Sequence, residues 1–220
     1  MREIREGLFL LPGGIALSAP SRTLLVADAH LGFAHTLRRR GALVPAFDLG
    51  LPDRLVEAVR RSEAERVIFL GDVVEAPRPS AEERAHVHEV FDALGVPVTV
   101  VLGNHDRGFL VDFPEVEAIA DGAVDGLLLH HGDRAPPPGE GPFVIGHFHP
   151  AVQVIDGAGV CHRVPAAVAG PRGVCLPAAS PFSRGLAVTP RRAPPALLAW
   201  TGPLRRAVPV PADPSRPGRN

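Results

Sequence analysis

Apolar residues in this chain fall in short uninterrupted runs bounded by turn residues: Leu8 to Leu11, Thr23 to Ala27, Arg66 to Leu70, Pro97 to Leu102, Gly126 to His130 and Phe143 to Ile145. Runs of this length without polar alternation read as strands buried on both faces. Helical spacing lies between them, most clearly from Ser80 to Leu94. There Val87, Val90, Phe91 and Leu94 share one face, and Ser80 with Glu83 makes a capping box. The first half is therefore α/β. Beyond Pro150 the helical periodicity disappears. The pieces Ala151 to Ile155, Gly173 to Pro177, Leu186 to Thr189 and Ala196 to Trp200 alternate with Gly and Pro and predict strands of a second sheet. From Pro203 to Asn220 the residues turn to Pro, Arg and Ala, which supply no core. The expectation is one folded domain over 1–202 and a disordered tail over 203–220.

The polar residues add a site to this fold. Five runs end directly in metal-ligand side chains: Asp28-Ala29-His30, Gly71-Asp72-Val73-Val74-Glu75, Gly103-Asn104-His105-Asp106, His130-His131-Gly132-Asp133 and Gly146-His147-Phe148-His149. In an α/β sheet the carboxyl ends of strands form the ligand crevice, so these clusters converge there. Carboxylate oxygen mixed with imidazole nitrogen suits borderline divalent ions, Mn2+, Fe2+, Zn2+ or Ni2+, better than an all-oxygen set would. Asp28 and His30 are two apart, as are His147 and His149. On an extended segment each pair points one way and addresses one site. Two adjacent ions need a bridging ligand, and Asp72, a lone carboxylate on the turn after a central strand, is the candidate. Gly71, Gly103, Gly132 and Gly146 permit the sharp turns and close approach that such crowding demands. His130 and His131 compete for one position, and adjacency to Gly132 favours His131. His35, His86, His88 and His162 have no partner motif and read as structural or solvated.

Composition bounds the partners. The 220 residues are 45% hydrophobic, enough for a full-sized core, and the formal net charge of −1 gives no global positive field for nucleic acid or anionic membrane. A local patch would have to serve. Arg38-Arg39-Arg40, with Arg107 and Arg134 just after ligand blocks, reads either as a solvated face or as a basic rim meeting a phosphodiester, with Arg39 and Arg107 the candidate substrate-binding residues. The two cysteines form no disulfide framework and suit a reducing cytosol. No apolar run is long enough to span a membrane, and the acidic residues and Pro12-Gly13-Gly14 near the start argue against a signal peptide, so a cytoplasmic location is expected. The segment Pro136 to Pro142 reads as an ordered loop or a lid.

Taken together and in this order, the five blocks resemble the calcineurin-like metallophosphoesterases over residues 24 to 150. The resemblance implies a four-layer αββα sandwich of two mixed β-sheets. It further implies that Asp28, His30 and His149 hold one divalent ion, that Asn104, His131 and His147 hold a second, and that Asp72 bridges them. His105 would then donate a proton to the leaving group, oriented by Asp106, while a metal-bridging hydroxide attacks phosphorus. Mn2+ is the expected ion. More narrowly, Asp28 to Gly41 and Leu176-Pro177-Ala178 resemble bacterial ligase-associated DNA-damage-response phosphoesterases. That likeness implies a nuclease linked to DNA repair, acting on single-stranded DNA or a nucleotide, with a repair ligase or helicase as partner. Glu75 stands where many members carry Asp, His or Asn, and Ala179-Ser180-Pro181-Phe182-Ser183 replaces the subgroup's more aromatic segment. A small-molecule nucleotide phosphodiesterase, pyrophosphatase or phosphomonoesterase remains open, as does a non-catalytic scaffold with the same fold, although no ligand position is lost.

Overall fold

The computed structural model describes residues 1–44, 50–189 and 192–212. The first sheet runs in chain order: β1 (Arg2–Arg5), β2 (Leu8–Leu10), β3 (Ala16–Ser18), β4 (Thr23–Val26), β5 (Arg66–Leu70), β6 (Val98–Val101) and β7 (Glu117–Ile119). β1 to β4 pair antiparallel and β4 to β7 parallel. The second sheet comprises β8 (Gly122–Val124), β9 (Leu127–Leu129), β10 (Phe143–Ile145), β11 (Pro150–Ile155), β12 (Cys161–Ala169), β13 (Gly173–Cys175), β14 (Leu186–Ala187) and β15 (Arg206–Pro209). Its order is β14-β11-β12-β13-β10-β9-β8, with β15 paired to β12, and parallel and antiparallel pairs are mixed.

Alternation within the buried strands builds the layers. In β4 and β5, Leu24, Val26, Val67 and Phe69 face a core shared with helices α2 (Leu51–Ser62) and α3 (Ala81–Leu94), preceded in the chain by α1 (Phe33–Arg39). Their neighbours Leu25, Ile68 and Leu70 face a second core against Leu129, Val144, Val174 and Leu176 of the other sheet. This two-sided burial is why those runs are apolar from Leu24 and from Val67 onward. A third core packs Phe143, Ile145 and Val168 under Leu197 and Trp200. The layers are therefore helix, sheet, sheet, helix. Ser80 caps α3 as its sequence predicts, its Oγ accepting the Glu83 N–H while Glu83 Oε2 accepts the Ser80 N–H.

Two expectations for the second half fail. The run Ala196 to Trp200 is a helix, α5 (Pro195–Thr201), entered after α4 (Phe109–Asp112) in chain order. Pro195 sits at its first position, where the missing N–H costs nothing, and Leu197, Trp200 and Thr201 recur at helical spacing on the buried side. The tail predicted from 203 is also interrupted. β15 pairs antiparallel with β12 over four residues, and Val208 is buried between the sheets because its alternation places it on the inner face. Residues 213–220 of the expected tail lie outside the described residues. Cys161 and Cys175 are free thiols, the first exposed and the second buried. Among the described residues no helix is long and apolar enough to cross a membrane.

Candidate metal centre

The site lies where the carboxyl ends of both sheets meet. Pairing of Val26 with Phe69 and of Leu70 with Val101 brings the loops after β4, β5 and β6 nearly level. The loops after β9 and β10 reach them from the other sheet, where the Gly146 N–H donates to the His131 carbonyl. Contacts this close require glycine at two points. A Cβ on Gly71 would overlap the His131 ring, and one on Gly103 would overlap the Asp72 carboxylate.

Two groups of three side chains result, with donor atoms within 4.8 Å of one another: Asp28, His30 and His149, and Asp72, His131 and His147. In the first group Asp28 Oδ1 lies 3.1 Å from His149 Nε2. In the second, His131 Nε2 lies 3.3 Å from Asp72 Oδ2, 3.2 Å from Asn104 Oδ1 and 3.2 Å from His147 Nδ1. Asp28 Oδ1 is 4.0 Å from His131 Nδ1, so the groups adjoin. A third group, His30, Glu75 and His105, borders them.

The backbone departs from the expected extended geometry. Asp28, His30, Asp72, His147 and His149 all have φ between 43 and 66°, the left-handed region that non-glycine residues seldom occupy. Spacing of two therefore does not aim each pair at one site. Asp28 and His30 share a group, whereas His147 and His149 diverge into different ones. The His147 N–H also donates to both Asp28 oxygens, at 3.1 and 2.9 Å, tying the first ligand loop to the last.

Donor chemistry fits a cation. His131 Nδ1 donates to the Leu70 carbonyl at 2.9 Å, so Nε2 of the neutral ring presents a lone pair. That nitrogen meets two oxygens that only accept, Asp72 Oδ2 and Asn104 Oδ1, together with His147 Nδ1, and one proton cannot serve both oxygens. Burial disfavours charge on His131, but hydrogen bonding to Asp72 and the charges of Asp28 and Asp72 outweigh it and hold the imidazole up at about 9. Burial likewise opposes the Asp72 carboxylate, yet His131 and the His105 N–H hold it down at about 2. His147 is pushed below the usual histidine range by burial and then by the charge on His131. His30 Nδ1 is buried without a hydrogen bond, although Glu75 Oε2 lies 2.9 Å away. A divalent ion in each group would take the place of that proton and of the missing hydrogen bond.

The remaining predicted residues separate. His105 adjoins the cluster: its N–H donates to Asp72 Oδ1 at 2.8 Å and its Nδ1 to the Glu75 carbonyl at 2.9 Å. Asp106 does not orient the His105 ring as expected. It is buried, and its carboxylate accepts the Val73, Val74 and Gly103 N–H groups at 3.0, 3.3 and 3.0 Å, bracing the loops after β5 and β6. The position next to His105 in sequence turns the side chain inward, where unpaired backbone donors need an acceptor. His130 lies outside the cluster, packed on Phe143 and Trp200 with Nδ1 2.7 Å from Asp121 Oδ1. Arg39 is exposed, 3.8 Å from the buried Glu83 carboxylate, and Arg107 is exposed; neither lines the cavity that opens off the metal-ligand cluster. Sequence reasoning missed two contributors. Glu75 was visible as a departure within its block. Ser183, whose Oγ lies 2.8 Å from His149 Nδ1, comes from a distant loop and leaves no local signal.

The sequence model of the calcineurin-like phosphoesterases matches residues 21–170, which span every residue of these groups. The chain belongs to the calcineurin-like phosphoesterase family. With the match comes metal-dependent hydrolysis, and the donor groups are candidate metal-binding sites. Among solved structures the chain is similar to the Pseudomonas putida nuclease MPE, with 26% identity, a TM-score of 0.64, and coverage of 84% of this chain and 88% of that one. No curated protein matches the chain.

Proposed function

We propose that this phosphoesterase hydrolyses phosphodiester bonds of nucleic acid with two divalent ions, Mn2+ the leading candidate. Asp28, His30 and His149 hold one ion, Asn104, His131 and His147 the other, and Asp72 serves both. The observation that carries this reading is the adjacency of two three-donor groups, in the second of which two acceptor oxygens converge on one ring nitrogen. Such ions, when bound, supply an activated water and neutralise charge on the phosphoryl oxygens. The chain's own residues do the rest. Leu70 and Asp28 fix the His131 ring and the His147 backbone, and Asp106 holds the loops that present Asp72 and Asn104. His105 holds its Nδ1–H on the Glu75 carbonyl, so the doubly protonated ring presents Nε2–H to the departing oxygen and is left as the neutral Nδ1–H tautomer. The nuclease among similar structures supports nucleic acid as the substrate class, and a repair setting follows from the narrower resemblance.

Protein supplied with Mn2+ is expected to cleave bis-p-nitrophenyl phosphate and single-stranded DNA, and Asp72→Ala to abolish both. Turnover that survives this change and exhaustive chelation would refute the two-ion reading. His105→Gln should slow cleavage of a nucleoside leaving group by about 10²–10⁴-fold. It should barely affect p-nitrophenolate, which leaves without a proton.

A further inference from the structure

A cavity of about 430 Å³ opens off the metal-ligand cluster and shares His30, His147 and His149 with it. Its volume falls in the range of small-ligand sites, roughly 300–1,000 Å³, and exceeds what a phosphoryl group alone would occupy. The far wall is aromatic. Phe33, entering α1 just after the first ligand loop, lies against Phe182 with ring centroids 5.1 Å apart and planes 30° from parallel, and Phe148 sits between His147 and His149. Ser180, Ser183 and the exposed Arg184 complete that side, while Glu75 is turned toward His30. Phe148 packs against the third core, whereas the half-buried Phe33 and Phe182 belong to none of the cores and have no catalytic task.

We propose that this wall, Phe33 and Phe182 foremost, stacks the base adjoining the scissile phosphate. The proposal rests on the phosphodiesterase reading and adds to it a base-binding subsite. A base reaches a flat phenyl surface only when it is unpaired, and stacking is indifferent to base identity. The net charge of −1 points the same way: with little global attraction for phosphates, base contacts must carry much of the affinity. Arg184 lies where it can meet a neighbouring phosphate or stack in turn.

The test is equilibrium binding, followed by fluorescence anisotropy, of the Mn2+-loaded protein to an end-labelled phosphorothioate oligothymidylate and to the same strand built from abasic residues. Wild type is expected to bind the base-bearing strand at least about fivefold more tightly. Phe182→Ala and Phe33→Ala should each bring that ratio toward one, with thermal melting unchanged in at least one of them. Competition by a dinucleotide identifies a small nucleotide as sufficient, and competition by longer strands alone identifies a polynucleotide; either supports the stacking wall. A wild-type ratio near one, absence of binding to either strand, or an unchanged ratio in a folded variant overturns it. Failure to hydrolyse any diester would count against the phosphodiesterase reading, and the binding ratio would still be read by itself.

Discussion

At the scale of single residues, five side chains of the candidate metal centre, Asp28, His30, Asp72, His147 and His149, stand on a left-handed backbone. His147 holds φ at 66°, where a β-carbon costs about 1–2 kcal/mol. His147→Gly should therefore be more stable than His147→Ala by about 1 kcal/mol in metal-free protein, measured by urea unfolding, although both lose the same ligand. Equal stabilities would show that the turn is not strained. Proton competition gives a second expectation. With the His131 pKa raised to about 9, the ring is protonated at neutral pH, and an ion entering its group must displace that proton. Affinity for Mn2+ should thus climb with pH until about 9 and then level off, with close to one proton released per ion in weakly buffered calorimetry at pH 7. Affinity independent of pH between 7 and 9 would contradict the shift. Asp72, held down at about 2, stays ionised throughout and adds nothing to this slope.

At the scale of elements, the outer layer over the second sheet depends on one short helix. Seven residues are too few to persist alone in water, so α5 forms because Leu197 and Trp200 bury against Phe143 and Ile145. Trp200→Ala should cost about 3–5 kcal/mol of stability. The Arg134 carbonyl, in the loop after β9, also loses its donor, the indole N–H at 3.0 Å. A melting temperature within a degree of wild type would rule out that packing role. β15 shows the reverse relation: its sequence has no strand signal strong enough to stand alone, and β12 supplies the edge on which it pairs. The burial of β4 and β5 on both faces was legible from the unbroken apolar runs themselves, because each face packs against a layer of the same fold.

For the whole molecule, two sheets packed face to face bring candidate ligands from five loops at their carboxyl ends into adjacent donor groups, while the chain keeps a net charge of −1. Nucleic-acid binding should then depend weakly on salt, with a slope of log affinity against log salt no steeper than about −2, equivalent to about three phosphate contacts. A much steeper slope would locate a basic surface that the charge does not indicate. The residues of the candidate centre and their positions at strand ends could be read from the chain alone, because ligand type and apolar run length are local properties of sequence. The layer order came with them, through the resemblance that the ordered blocks carry. What only the tertiary structure decided is how those residues divide. His147 and His149 part into different groups while Asp28 and His30, on an equally left-handed backbone, share one, and Asp106 braces two loops instead of His105 because buried N–H groups of the loops after β5 and β6 meet there. Ser183, Phe182 and Phe33 join the site from loops far apart in sequence, and the helix over Trp200 exists only where a sheet is present to bury it. Each of these depends on distances between elements, which no periodicity within one element encodes.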